Sequence, residues 1–194
     1  MLFRSEIIPS KSEAIDSTEV RDHRPSAALK EVEIFTDGAC RGNPGPGGYG
    51  VILRAGKNRK ELSAGFEKTT NNRMELLGAI AGLEQLKQPC RVVLASDSTY
   101  LVNAMTKGWL RKWKGFGWMR GPGRRLRNED LWKRLDAAQA NHEVTWQWVK
   151  GHAGHDENER CDDLAVQGAE SSGRVVDEGY LREEALDAGE AELF

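Results

Sequence analysis

NNRMELLGAIAGLEQLKQPCRVVLASD, residues 71–97, decides the fold. Within it Leu76, Ala79, Ile80, Leu83 and Leu86 recur at steps of three and four, which gives a helix one apolar stripe to lay on a sheet. Arg91-Val92-Val93-Leu94-Ala95 then forms a compact apolar run, the pattern of a buried strand. A helix feeding such a strand is the second half of a crossover, so this strand is expected to run parallel to one that precedes the helix. That earlier strand is Val32-Glu33-Ile34-Phe35, which ends in the turn pair Asp37-Gly38. Residues 48–55 and 62–66 supply two more strand-like runs, expected to be antiparallel. Beyond residue 97, helical patterns at 98–105 and 128–140 lead to a strand at 144–149 and a last helix through Cys161, Leu164, Ala165 and Gly168. The order is βββαβααβα, an α/β fold.

The chain has 194 residues, 39% hydrophobic and 30% charged, enough for one packed domain with extensions. Three segments are expected: a flexible leader over 1–29, a folded unit over 30–170 and an acidic tail over 171–194. The tail is read as solubilising and partly helical, with a fold back over basic residues as the alternative. No apolar run is long enough to span a membrane and the N-terminus lacks a secretory pattern, so a cytoplasmic protein is expected. A monomer is the separate default expectation. Cys40, Cys90 and Cys161 are odd in number and widely spaced, which implies free thiols rather than a disulfide framework or a thiolate zinc site. His152, His155 and Cys161 fit no common zinc signature.

Four acids stand at the ends of expected elements. Asp37 closes the first strand, Glu75 opens the first helix, Asp97 follows the crossover strand and Asp162 rides on the last helix. Groups at the carboxyl ends of neighbouring parallel strands share one crevice, so Asp37 and Asp97 are expected side by side. Carboxylates about 4 Å apart repel by roughly 4 kcal/mol at an effective dielectric near 20, so such a cluster demands protons or a cation. Oxygen ligands favour a hard divalent ion such as Mg²⁺, with Mn²⁺ as a substitute. Each acid also has an ordinary explanation. Asp37-Gly38 makes a turn, Glu75 pairs with Asn72 in a capping box, Asp97 caps a helix and Asp162 is a surface acid near Arg160.

FTDGACRGNPGPGGYG (35–50), TTNNRMEL (69–76), SDSTYL (96–101) and WVKGHAGHDENERCDDLA (148–165) together resemble the bacterial type 1 ribonuclease H family in order and spacing. The resemblance covers residues 31–169. It implies a five-stranded mixed sheet flanked by helices, strand order 3-2-1-4-5. It also implies an endonuclease that cuts the RNA strand of an RNA/DNA hybrid, leaving 5′-phosphate and 3′-hydroxyl ends. By that similarity Asp37, Glu75, Asp97 and Asp162 take the places of metal-binding acids, two Mg²⁺ ions roughly 4 Å apart span the scissile phosphate, and His152 is a loop histidine that moves protons or assists product release. Cys40, Asn43, Asn71 and Asn72 match groove-contacting positions, and Asn43 with Thr70 matches a phosphate pocket for the DNA strand. Thr99 stands where the family often has glutamine.

From Lys107 to Arg134 the chain carries ten basic residues against Glu129 and Asp130, interleaved with Trp109, Trp113, Phe116 and Trp118. Its ordinary reading is a solvated basic face over core tryptophans; beside an acid cluster, a nucleic-acid backbone is the expected partner. The resemblance makes this segment a basic handle on the DNA strand, with Trp109, Arg111, Lys112, Trp113, Lys114 and Trp118 as contacts. Binding is then salt-sensitive, and neutralising Arg111, Lys112 and Lys114 flattens the salt slope. A non-catalytic hybrid-binding module is the alternative, and a 3′ exonuclease or recombination nuclease on a related sheet is a further one.

Overall fold

The computed structural model describes residues 28–151 and 155–191. Strands β1 (Lys30–Cys40), β2 (Gly45–Ala55) and β3 (Asn58–Thr69) form an antiparallel meander, and α1 (Asn71–Glu84) crosses over to β4 (Cys90–Ser96), parallel to β1. Helices α2 (Thr99–Thr106) and α3 (Trp109–Gly115), a short hairpin of β5 (Met119–Gly121) and β6 (Arg124–Arg125), and α4 (Glu129–Gln139) precede β7 (Glu143–Trp148), which is parallel to β4. Helices α5 (Asp156–Glu170) and α6 (Glu178–Ala191) follow. The main sheet has the order β3-β2-β1-β4-β7. This is the expected mixed five-stranded arrangement; its fifth strand is the seventh along the chain because the hairpin intervenes.

Helices pack on both faces of the sheet, on the α5 side over β1 to β3, while Val93 of β4 and Trp148 of β7 stay exposed. Ile34, Val51 and Leu94 point to α1 and α4, where Leu76, Ile80, Trp132 and Leu135 complete the main core. Ile52 and Phe35 point the other way, to Cys161 and Leu164 of α5. Period-two alternation along β2 thus feeds two helix layers at once. On the α5 side the contact is backbone on backbone. A Cβ on Gly50 would sit 2.0 Å from the Cys161 carbonyl oxygen, and one on Gly65 would sit 1.9 Å from that of Gly168. The glycines of β2 and β3 therefore fix how closely α5 approaches, and with it where Asp162 lies.

Several elements differ from the sequence expectation. β1 runs on to Cys40, so Asp37 lies within the strand, paired with Gly50, rather than closing it. Helix α3 and the hairpin are additional to the expected order. Each is too short to carry a period: α3 has seven residues, and it starts after Gly108 at φ 72°. The largest difference is at the C-terminus. Where a solubilising tail is expected, Val175 pairs with the edge of β3 (Glu67 N–H to Val175 O and Val175 N–H to Gly65 O, both 2.9 Å), and α6 packs on the domain. The leader, apart from residues 28 and 29, lies outside the described residues.

Candidate active site

The parallel ladder between β1 and β4 ends at the pair Thr36 and Ser96, and the next residue on each chain is an acid, Asp37 and Asp97. Neighbouring strands thus deliver two carboxylates to one crevice. The third comes from α1. Thr70 caps that helix, its hydroxyl accepting from Arg73 N–H at 3.4 Å. Gly38 allows the first turns of the helix to press against β1, since a Cβ there would lie 2.6 Å from Glu75 N. Asp37, Glu75 and Asp97 each present a carboxylate oxygen, and these oxygens all lie within 4.8 Å of one another. They form the one such acid, cysteine or histidine group among the described residues.

The ordinary explanations weaken at this resolution of detail. With Thr70 as the cap, Glu75 is the fifth helical residue, not a capping-box partner of Asn72. Ser98, not Asp97, caps α2, its hydroxyl accepting from Leu101 N–H at 3.3 Å. Arg160 donates to Glu61 at 3.1 and 2.9 Å. Asp162 is half-buried on α5, outside the group of three but near enough to act on Asp37. The zinc alternative loses Cys161, which is buried with its thiol donating to the Phe35 carbonyl at 3.3 Å. His152 lies outside the described residues.

Burial, then the charge of Asp97, raises the pKa of Asp37 from 3.8 to about 7, against a lowering hydrogen bond from Gly38 N–H at 2.7 Å. Burial, then Asp37 and Asp97, pushes Glu75 well above the usual carboxylate range. Asn71 Nδ2 donates to Glu75 Oε1 at 3.4 Å, while Glu75 Oε2 is buried without a hydrogen-bond partner. Buried acceptors are costly when unpaired, and repelling carboxylates are costly when ionised. A hard cation answers both, and the donor set, all oxygen, suits one.

A pH signature follows. The folded state holds a proton on Asp37 up to about pH 7, whereas the unfolded chain releases it near 3.8. The folded state binds more protons in that window, so this group's stabilising contribution is lost as pH rises from about 4 to about 7. Melting curves in chelator are expected to show Asp37→Asn gaining on the parent chain between about pH 5 and about pH 8, with Mg²⁺ closing the gap at the higher pH. A difference independent of pH would contradict this.

The residues matched to substrate contacts fall into two groups. Around the start of α1, Asn43 Oδ1 accepts from Asn71 N–H at 3.1 Å, the Cys40 thiol donates to the Thr69 carbonyl at 3.4 Å, and Asn72 is exposed. Through Asn71 this rim touches the acid cluster directly. The second group flanks a cavity of about 500 Å³ lined by Trp109 and Lys112 with Asn72, Tyr100, Arg125 and Asn128. Trp109 and Phe116 are partly open at 37% and 48% exposure, but Trp113 is 8% exposed and packs against Trp132 at 5.1 Å. Trp118 is half-buried, with the Lys133 ammonium 5.8 Å from its ring. Lys114 is committed to Asp136 at 2.7 Å, while Arg111 is exposed.

Against known proteins, the RNase H family model matches residues 29–170, the full extent of the main sheet and of α1 to α5. The chain belongs to the RNase H family. A Ribonuclease H of Shewanella halifaxensis is 55% identical over 157 residues, covering 81% of this chain and 97% of that protein. One of Erwinia tasmaniensis is 57% identical over 155 residues, covering 80% and 99%. Among solved structures, LC9-RNase H1, described as a type 1 RNase H with the type 2 active-site motif, shares 36% identity at a TM-score of 0.66, covering 81% of this chain and 82% of that one.

Two residues of this RNase H cavity were not singled out from the sequence. Tyr100 OH accepts from Asn128 Nδ2 at 3.2 Å and from Trp132 Nε1 at 3.1 Å, locking the cavity floor. Asn128 adopts φ 59°, a left-handed conformation that asparagine tolerates. Tyr100 sits in the SDSTYL stretch beside Asp97, the only sequence signal for either.

Proposed function

We propose that this RNase H family chain is an endonuclease for the RNA strand of RNA/DNA hybrids. The observation that carries the reading is the convergence of Asp37, Glu75 and Asp97, with Glu75 Oε2 buried and unpartnered. Near-full coverage of relatives named Ribonuclease H supports it. Asp37, Glu75 and Asp97, with Asp162 completing the set, would hold Mg²⁺, and Mn²⁺ as a substitute. When bound, Mg²⁺ supplies Lewis-acid polarisation of the phosphate and makes a water a competent nucleophile near neutral pH.

The chain's own residues do the rest. The four carboxylates confine the charge to one side of the crevice, and the first turn of α1 brings Asn71 and Asn72 beside it to read ribose 2′-hydroxyls. Cys40, its thiol tied to carbonyls, shapes that groove. Asn43 and Thr70 serve the DNA phosphate, while Trp109, Arg111, Lys112 and Lys114 grip the DNA backbone, with Trp113 and Trp118 holding the handle's shape. In-line attack of water on phosphorus breaks the bond to the 3′ oxygen, leaving a 3′-hydroxyl and a 5′-phosphate. His152 would carry protons at this step. Residues 30–170 form the catalytic unit, working as a monomer in the cytoplasm; no helix of the described residues is long and apolar enough to cross a membrane.

The test is incubation with internally labelled hybrid, single-stranded RNA and DNA duplex in Mg²⁺. Internal cuts in the RNA of the hybrid alone are expected. Hybrid binding without cleavage would make the chain a binding module, and cleavage of the DNA duplex would overturn the substrate assignment.

A further inference from the structure

The C-terminal segment is locked onto the domain beyond the family match, which ends at residue 170. Asp177, 5% exposed, accepts from Arg73 Nε at 2.7 Å, from Thr69 Oγ1 at 2.7 Å and from Tyr180 N–H at 3.0 Å, so one carboxylate both caps α6 and ties it to the core. Gly179 permits the approach: a Cβ there would sit 2.1 Å from Asp130 Oδ2 and 2.3 Å from Arg73 Nη2. Together with the Val175 pairing at the edge of β3, these contacts fix the path of the helix, and the next two turns carry acids to one place.

Those acids meet the end of the basic segment. Glu183 Oε1 accepts from Asn128 N–H at 3.0 Å, and Glu184 pairs with Lys68 at 2.6 Å. Asp187 pairs with Arg125 and, at 2.9 Å, with Arg127. All three line a cavity of about 480 Å³ together with Asn43, Thr70 and Asn72. A phosphate seated against Thr70 and Asn43 therefore shares its cavity with carboxylates, and Arg127, the arginine lining that cavity, already holds one.

We propose that Asp187, with Glu183 and Glu184 beside it, sets the affinity of this enzyme for the DNA strand by competing with phosphate for Arg125 and Arg127. The inference rests on the reading above that Thr70 and Asn43 face that strand. The pair to Arg127 is open to solvent, with side chains 70% and 34% exposed, so the carboxylate attenuates binding rather than blocking it. Like other exposed charge effects, the competition fades as salt rises. Helix α6 thus acts as a fixed affinity filter: a duplex must offer enough backbone charge to displace Asp187, and weak, short duplexes are rejected first.

The experiment measures hybrid affinity of the full chain across a series of KCl concentrations, with Ca²⁺ in place of Mg²⁺. Asp187→Asn is expected to bind about fivefold tighter at low salt, with a log-log salt slope steeper by about one as freed cations reach phosphate. Glu31→Gln, an equal charge change at the start of β1, controls for net charge, and Asp187→Glu is expected to retain parental affinity. If Arg127→Ala weakens binding but Asp187→Asn binds no tighter than Glu31→Gln, the proposal fails while the DNA path stands. If Asp187→Glu tightens binding as the asparagine does, helix placement rather than charge is responsible and the proposal fails. If Arg127→Ala leaves affinity and slope unchanged, the DNA path itself is wrong and the proposal falls with it.

Discussion

Asp37→Asn is expected to slow cleavage of the hybrid by on the order of a thousandfold or more at saturating Mg²⁺, with hybrid affinity held or slightly improved. Asparagine keeps the size and one oxygen but removes the charge that the Glu75 and Asp97 carboxylates share with a cation. The effect belongs in turnover rather than in binding if, as proposed, the DNA grip lies on α3 and at the start of α1. The same change is expected to raise stability in chelator near pH 8. The parent chain there keeps Asp37 ionised against a pKa of about 7, beside two other carboxylates. Opposite signs in activity and stability separate loss of chemistry from loss of fold. A variant that cleaves within tenfold of the parent would remove Asp37 from the reaction.

Arg73→Met is expected to cost about 3–5 kcal/mol and lower the melting temperature by roughly 10 °C. Arg73 is 1% exposed and holds two acids along two edges of its guanidinium, Asp177 at 2.7 Å and Asp130 at 2.8 Å. Removing the guanidinium leaves Asp177 buried without its cation and loosens the N-terminus of α6. Replacing both residues, as Arg73→Met with Asp177→Leu, is expected to recover part of the loss, since the fully buried charge is then removed and Asp130, with its side chain 40% exposed, still reaches water. Chemical denaturation of the single and double variants reads the difference. Additive losses would show that the two side chains act independently, and an unchanged single variant would show that the buried pair holds nothing together.

Legibility from the sequence followed the range of the interactions. The helix stripe of residues 76–86 and the run 91–95 are local patterns, and α1, β4 and their parallel partner β1 stand where those patterns put them. Asp37 and Asp97 came within reach because strand ends of a crossover unit are neighbours by topology. Glu75 was harder: Thr70, Asn71 and Asn72 are all good caps, and which one starts the helix decides where the glutamate points. Helix α3 offers only Leu110 and Trp113 as buried residues, too few to set a period. The order of α6 was legible only in part, as helical character in the tail and as the fold-back alternative. Its acids read as solvated when scanned locally, and the group that anchors it, Asp177, meets Arg73 at a separation of 104 residues. Gly48, Gly50 and Gly65 fall inside strand-like runs with no signal of their own, yet they are the seat of α5. Backbone contact across a sheet leaves no mark in a hydropathy pattern.

The direct measurement is the anomalous scattering of crystals soaked in Mn²⁺ near pH 8. A peak is expected between the carboxylate oxygens of Asp37, Glu75 and Asp97, with Glu75 Oε2 as a ligand, and its loss is expected in Asp37→Asn crystals. Saturating Mn²⁺ with no peak at those three side chains, or with the ion held by other residues, would contradict metal-assisted cleavage at this crevice.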